Sequence, residues 1–356
     1  MKVKQVGVTP LFTNGKPRAR VLIIYTGGTF GMTYDKSGAL IPFDFASIIE
    51  HLPTIRNLGL DFTVFAFEQP IDSSNVNPDH WKSIAALVRD HYESHDGFVV
   101  LHGTDTMAYS ASALSFMLEG LAKPVIFTGA QLPIIDPRSD ARENLITALE
   151  IAAANEDGRP VVPEVCIYFD YELLRGNRSK KVESMQFDAF DSGNYPPLAK
   201  AGVKIDYNHT VILQPLDRLL KVHDQFDTNI AILKIFPGLS SRMVEHIFSA
   251  GNLKAIILET YGSGNAPTSP WLKEVLTRAI ERGLVVVNIS QCPGGMVIQG
   301  RYETSRDLEQ AGVISGLDMT VEAAVTKLMI LLGEFPVTKC RELFQRNLAG
   351  EISSLP

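Results

Sequence analysis

The chain is organised around Val21-Leu-Ile-Ile-Tyr-Thr-Gly-Gly-Thr-Phe-Gly31. This stretch begins as an apolar run rich in β-branched residues, which predicts a buried strand. The run stops at Thr26-Gly27-Gly28-Thr29, where two glycines permit a sharp turn and leave no side chain between backbone and ligand. Ligands of open α/β sheets bind beyond the carboxyl ends of the strands. Thr29 is therefore a candidate site residue.

Several interpretations of this loop compete. Its threonines could bond only the local backbone of a strand-ending turn. A dinucleotide-binding loop needs G-x-G-x-x-G, but Thr26 occupies the first position, and a P-loop needs a Gly-Lys-Ser/Thr ending that this loop lacks. A hydroxyl nucleophile on a tight turn is the remaining interpretation. The loop alone does not decide between the nucleophile and the structural turn.

A second stretch, His102-Gly-Thr-Asp-Thr106, repeats this arrangement after the apolar run Gly97–Leu101. A threonine hydroxyl needs a base to take its proton and backbone N–H groups to hold an oxyanion. Thr104, Asp105 and Lys181 are candidates for a hydroxyl, an orienting carboxylate and a base, by analogy with the Ser-His-Asp arrangement. The structural alternatives are a helix N-cap for Asp105 and a solvated surface charge for Lys181.

The remainder of the chain predicts an α/β protein, because buried strands alternate with amphipathic helices. We expect a flexible N-terminal arm over residues 1–20 and a larger α/β domain with a mostly parallel sheet over residues 21–208. A linker over residues 209–226 would then lead to a smaller, flavodoxin-like α/β domain over residues 227–356.

Composition excludes several classes of function. The net charge of −7 argues against a nucleic-acid partner. No apolar run is long enough to span a bilayer, the N-terminus lacks a signal-peptide pattern, and the 3 cysteines are scattered, so we expect a cytoplasmic protein. His91 and His95 lie four residues apart, but Glu93 is misplaced for a zinc-protease motif, so no metal is predicted.

These motifs together resemble the bacterial-type L-asparaginases, specifically their type I cytoplasmic branch. The resemblance runs from about Val21 to the C-terminus and rests on motifs in family order at family spacing. They are Thr26-Gly-Gly-Thr29, Asp72-Ser-Ser74, His102-Gly-Thr-Asp-Thr106, Arg138-Ser-Asp140 with Asn144, Arg175-Gly-Asn177 leading to Lys181, Tyr261-Gly-x-Gly-Asn265-Ala-Pro267, and Gln291-Cys292.

The resemblance implies hydrolysis of L-asparagine to L-aspartate and ammonia without metal or organic cofactor, with weaker action on L-glutamine as a further expectation. Thr29 matches the family's nucleophile, which forms a β-aspartyl ester. Thr104, Lys181 and Asp105 match a second triad that activates the hydroxyl and the hydrolytic water. Backbone N–H groups near Thr104 would form the oxyanion hole.

The resemblance also implies how the substrate is held. Asp72, Ser73 and Ser74 lie in the motif that, with Asp105, binds the α-amino and α-carboxylate groups. Ala130 matches a backbone contact to the side-chain amide. Asn265 matches a residue that reaches the site from a neighbouring protomer, which implies a homo-oligomer, either a dimer or a tetramer of intimate dimers.

One departure from the family concerns a catalytic tyrosine. Many members carry it on a lid, just before the Ile-Pro that corresponds to Ile41-Pro42, but here that position is Leu40. Tyr34 lies on the same segment out of register. Some relatives supply the tyrosine from a later loop, so Tyr302 is our candidate.

A second hypothesis, from a different class of function, is an ammonia-supplying component of an amidotransferase. Such components resemble this family but carry an additional N-terminal domain. Only about twenty residues precede the first predicted strand here, and the acidic balance does not suggest tRNA binding. We therefore expect the hydrolase.

Overall fold

The computed structural model describes residues 2–9, 17–34, 40–42, 53–215, 218–300 and 303–353. The chain divides into two compact units. Unit 1 consists of Met1–Ser192 and Pro196–Val222, and unit 2 consists of Gly193–Tyr195 and His223–Pro356.

Among the described residues, unit 1 contains seventeen strands and three helices. The strands are β1 (Val3–Thr9), β2 (Ala19–Gly27), β3 (Met32–Tyr34), β4 (Leu40–Pro42), β5 (Leu60–Ile71), β6 (Gly97–Leu101), β7 (Leu118–Glu119), β8 (Val125–Thr128), β9 (Asn155–Glu156), β10 (Arg159–Pro160), β11 (Val165–Phe169), β12 (Glu172–Arg175), β13 (Lys180–Lys181), β14 (Phe190–Asp191), β15 (Ala199–Ala201), β16 (Ile205–Tyr207) and β17 (Lys221–Val222). The helices are α1 (Pro78–Asp90), α2 (Met107–Met117) and α3 (Ala141–Ala152).

Unit 1 is built on a nine-stranded sheet in the order β1-β5-β2-β6-β8-β11-β12-β15-β16. Strands β5, β2, β6, β8 and β11 run parallel, and the remaining pairs are antiparallel. Strands β2, β6 and β8 are almost entirely buried, which explains why they read as continuous apolar runs. Helices α2 and α3 contact β8 and β11.

Strand β2 lies between β5 and β6, at a switch in strand order. The chain leaves β2 toward β5 on one side, whereas it leaves β6 toward β8 on the other. The connections from β2 and β6 therefore run to opposite sides of the sheet. Such a switch in strand order is where open α/β sheets bind ligands.

The N-terminal segment differs from the flexible arm that was expected. Residues 3–9 form β1, which pairs antiparallel with β5. Val3, Val6 and Val8 favour an extended backbone, and the unpaired edge of β5 supplies hydrogen-bond partners. After Gly31, strand β3 pairs antiparallel with β4.

Unit 2 contains a second, four-stranded parallel sheet. Its strands are β18 (Ile230–Lys234), β19 (Ala255–Thr260), β20 (Val285–Ser290) and β21 (Ile314–Ser315), arranged in chain order. Its helices are α4 (Ser241–Phe248), α5 (Pro270–Glu281), α6 (Glu303–Gln310), α7 (Val321–Glu334) and α8 (Val337–Phe344). Side chains of α4, α5 and β19 form its buried core. The predicted class is confirmed: a larger α/β unit with a mostly parallel sheet and a smaller parallel α/β unit.

Candidate active site

Glycines bring the loops at the carboxyl ends of β2, β5 and β6 into backbone contact. Gly28 has φ +84°, and a Cβ there would lie 2.5 Å from the Cα of Gly103. A Cβ on Gly103 would in turn lie 2.7 Å from the Cβ of Ser73. A side chain at position 28 would collide with the Gly103 backbone, and one at position 103 would collide with the Ser73 side chain. The loops that carry Thr29, Ser73 and Thr104 therefore meet at one point.

The nucleophile candidate Thr29 opens a 3-10 turn directly after this contact. Thr29 is partly exposed, while Phe30 and Gly31 behind it are buried. The Tyr25 hydroxyl donates to the Gly31 carbonyl over 3.2 Å and anchors the turn to β2. Thr26, in contrast, is buried and donates to the Leu101 carbonyl over 3.0 Å, so it has the structural role of bonding backbone.

Thr104, Asp105 and Lys181 form a hydrogen-bonded cluster. The Lys181 Nζ lies 2.7 Å from the Thr104 Oγ1 and 2.7 Å from the Asp105 Oδ1. The Lys181 side chain is only 18% exposed, so it is not a solvated surface charge. Asp105 does not cap a helix, because Thr106 is the N-cap of α2 and makes no side-chain capping bond. This arrangement places an amine and a carboxylate, the groups that acid–base chemistry requires, next to the Thr104 hydroxyl.

The Asp72 motif forms the rim of the same region. Asp72 is exposed and caps a 3-10 turn by accepting from the Ser74 N–H over 2.9 Å. Ser73 is buried, and its carbonyl accepts from the Thr106 hydroxyl over 2.7 Å. The loop after β5 is thus fastened to the loop after β6, with Ser74 exposed beside it.

The loop after β8 holds Ala130 and a residue that the sequence did not single out, Gln131. Ala130 is buried. The Asp140 carboxylate accepts from the Gln131 and Leu132 N–H groups at 3.0–3.1 Å. Burial raises the pKa of Asp140, and these backbone N–H groups oppose that shift. The only sequence signal for Gln131 is its place at a strand end on the ligand-binding edge.

His102 is a buried structural residue at the base of the site. Its Nδ1 donates to the Gly103 carbonyl over 2.7 Å, and its Nε2 accepts from the Ser110 hydroxyl over 2.9 Å. Ser110 accepts in turn from the Trp81 Nε1–H over 2.9 Å. Desolvation by burial lowers the pKa of His102 to about 4, so the ring is neutral at pH 7.

Because the His102 ring is buried in its neutral form, we expect the stability of the fold to decrease at acid pH. The unfolded chain binds a proton at His102 near pH 6.5 and the folded chain only near pH 4, so stability falls as the pH falls between these values. The expected loss is about 3 kcal/mol in the free energy of unfolding. Urea titrations from pH 7 to 4 measure it. H102Q should flatten the slope, while H209Q, at an exposed histidine, should not. Equal slopes for wild type and H102Q would contradict this prediction.

The described residues contain no group of three or more His, Cys, Asp or Glu side chains placed to hold a metal ion. The His91 and His95 rings contact each other edge to face. The His95 Nε2 is hydrogen-bonded to the Thr63 hydroxyl at 2.9 Å. None of the helices in the described ranges has the length and apolar character that crossing a bilayer requires.

Comparison with known proteins identifies the family. A model described as "Asparaginase, N-terminal" matches residues 20–213, and one described as "Glutaminase/Asparaginase C-terminal domain" matches residues 229–344. The chain belongs to the asparaginase family. It is an amidohydrolase, as its resemblance predicted.

Individual members of the asparaginase family match nearly the whole chain. L-asparaginase 1 of Escherichia coli K12 is 42% identical over 94% of this chain and 98% of its own. The crystal structure of L-asparaginase I from Vibrio cholerae is 40% identical with a TM-score of 0.87, covering 95% of this chain and all of its own. A glutamyl-tRNA(Gln) amidotransferase component of Archaeoglobus fulgidus is 36% identical, over 93% of this chain and 79% of its own.

Of the predicted site residues of this asparaginase-family chain, one lies in unit 2 and another is not among the described residues. Asn265 is in unit 2, in a turn after β19 where its backbone pairs with Tyr261. Tyr302 lies outside the described residues. Leu40 belongs to β4, and its partner in the β3–β4 pairing is Tyr34.

Proposed function

We propose that the protein hydrolyses L-asparagine to L-aspartate and ammonia through an acyl-enzyme on Thr29. The observation that carries this proposal is the contact of Lys181 with both Thr104 and Asp105, beside the strand end that bears Thr29. A hydroxyl, an amine and a carboxylate in this order supply the nucleophilic and acid–base groups of amide hydrolysis. The reaction needs no cofactor, because these side chains provide both the nucleophile and the acid–base groups.

In the first half-reaction, the Thr29 hydroxyl oxygen attacks the side-chain amide carbon of asparagine. Its proton passes to the leaving nitrogen, the C–N bond breaks, and ammonia departs. An ester between Thr29 and the β-carboxyl group of aspartate remains. Backbone N–H groups near Thr104 stabilise the oxyanion that forms during attack.

In the second half-reaction, water attacks the ester carbon and releases L-aspartate and the free Thr29 hydroxyl. Thr104 and Lys181 take the proton of the water, and Asp105 stabilises the resulting ammonium by its charge. The same groups serve both half-reactions, because each requires removal of a proton from an attacking oxygen.

Polar groups at the rim bind the two ends of the substrate. The carboxylates of Asp72 and Asp105 attract its α-ammonium group, and Ser73 and Ser74 donate to its α-carboxylate. The backbone of Ala130 contacts the side-chain amide. Glutamine is longer by one methylene, which such a pocket rejects by about 10–200-fold at most, so we expect weaker glutaminase activity.

The direct test is ammonia release by the purified chain, without added protein. Asparagine should give ammonia and aspartate in equal amounts, and glutamine should react more slowly. Failure to release ammonia from either substrate would contradict the proposal. That result would favour the amidotransferase-like alternative, for which the relative from Archaeoglobus fulgidus provides the precedent.

We also propose that the working form is a homo-oligomer, either a dimer or a tetramer of intimate dimers. In this proposal Asn265 of one protomer completes the site of its neighbour. Tyr302 acts as the catalytic tyrosine, because Leu40 has no hydroxyl. The protein is cytoplasmic, which fits its three unpaired cysteines, Cys166, Cys292 and Cys340.

Mixed oligomers test the shared site. T29A and N265A proteins should each be impaired, and co-expression should restore activity because some mixed sites receive both wild-type residues. For a randomly mixed dimer the recovered activity is about a quarter of wild type, since half the dimers are mixed and each has one complete site. T29A co-expressed with D72A, whose residue is supplied by the same protomer as Thr29, should give no such recovery. Absence of recovery with N265A would contradict the shared site.

A further inference from the structure

The Gln131 side chain bridges Thr104 and the hairpin that carries Lys181. Its Nε2 donates to the Gln186 carbonyl over 2.9 Å. A carbonyl only accepts, so this bond fixes the orientation of the amide and leaves Oε1 facing Thr104. The Thr104 Oγ1 lies 3.3 Å from that oxygen and must donate to it.

This bond sets the direction of the Thr104 proton. A threonine hydroxyl has one proton, and here it points at Gln131. The Lys181 Nζ, at 2.7 Å, therefore donates into a lone pair of the same oxygen. In this arrangement Lys181 cannot accept the Thr104 proton. The proton becomes available to Lys181 only when the bond to Gln131 breaks.

Gln131 is itself held firmly. Its N–H donates to both Asp140 carboxylate oxygens, at 3.1 and 3.0 Å. The Asn144 Nδ2 donates to the Gly129 carbonyl and to Asp140, both over 3.1 Å. The hairpin is tied at two places as well, with Lys181 bound at its base in β13 and Gln186 bound in its turn.

We propose that Gln131 is a positioning residue that sets the direction of the Thr104 proton and so competes with Lys181 for it. The proposal rests on the proposed function, because it assigns Lys181 the task of accepting that proton. Removing the acceptor at position 131 should ease the transfer, and strengthening it should hinder the transfer.

Several structural elements contribute the other charged groups around Lys181. Asp105, from the loop after β6, is bonded to it at 2.7 Å. The hairpin itself contributes Lys180, Glu183, Asp188 and Asp191, and the turn before it contributes the buried Arg178. Helix α2 carries no charged residue, and Asp140 is bonded to backbone N–H groups. None of these groups changes when Gln131 is substituted, so a change in pH dependence reports on position 131.

The test is the pH–kcat profile of Q131M and Q131E on L-asparagine. Both variants lose the donor to Gln186. Only Q131E keeps an acceptor for Thr104, and that acceptor is stronger. The midpoint of the acid limb should move down by about half a pH unit in Q131M, the value of one modest hydrogen bond, and up by at least as much in Q131E.

Controls separate this effect from loop damage and from failure of the proposed function. S139A removes a bond from the same loop, between Ser139 and the Leu132 carbonyl, and should leave the midpoint in place. The midpoint is independent of the fraction of protein that folds. An unchanged midpoint in Q131M, or shifts of the same sign in both variants, would overturn the inference. No ammonia from wild type at any pH would instead refute the proposed function.

Discussion

Replacing Thr29 with alanine is expected to lower kcat for ammonia release by on the order of 10⁴-fold or more, because the variant has no oxygen to form the ester. Thr29 is partly exposed and anchored by its buried neighbours Phe30 and Gly31, so the fold should tolerate the change. Aspartate binding, measured by calorimetry, should persist, since the Asp72 motif remains intact.

T29S is the matched control. It keeps a hydroxyl at the same position, primary instead of secondary, and should retain part of the activity. T104V tests the other threonine, to which we assign proton transfer. If T29A released ammonia at a rate near wild type while T104V were inactive, the two roles would have to be exchanged.

Replacing Lys181 with methionine is expected to lower kcat by about 10²–10⁴-fold, the range for loss of a general base. Thermal stability should change little, because Asp105 in this pair is 60% exposed and pairs of that kind contribute little to folding. K181R is more informative. It keeps the positive charge next to Asp105, but arginine does not lose its proton and cannot act as a base. We therefore expect K181R to be as impaired as K181M.

K200M provides the surface control for this comparison. Lys200 pairs with Glu172 at 2.7 Å in the same unit, and that pair is exposed. Its loss should leave both activity and stability close to wild type. Activity of K181R near that of wild type would show that the charge of Lys181 matters and its basicity does not.

The sequence predicted the sheet well where strands are buried on both faces. Strands β2, β6 and β8 each contain a run of buried apolar residues, as expected of central parallel strands. Strand β1 was not predicted, because it lies at the sheet edge and is formed by pairing with β5 rather than by its own apolar content. Short antiparallel strands such as β16, at the opposite edge, were missed for the same reason.

The candidate site was predictable as far as its residues have distinctive chemistry. Two glycine-threonine loops after two buried strands pointed to one edge of the sheet, and the structure joins them through Gly28 and Gly103. Lys181 could be proposed as the partner of Asp105, and the two are in contact. Gln131 could not, since an amide side chain has no nucleophilic or acid–base signature. Its significance comes from the meeting of three segments distant in sequence.

The central claim is that Thr29 carries the acyl group, and peptide mapping of acid-quenched enzyme tests it most directly. Wild type and T104V would be quenched during turnover of L-asparagine, digested and analysed by mass spectrometry. We expect an aspartyl ester on the peptide that contains Thr29. An ester on the peptide that contains Thr104 would contradict the claim.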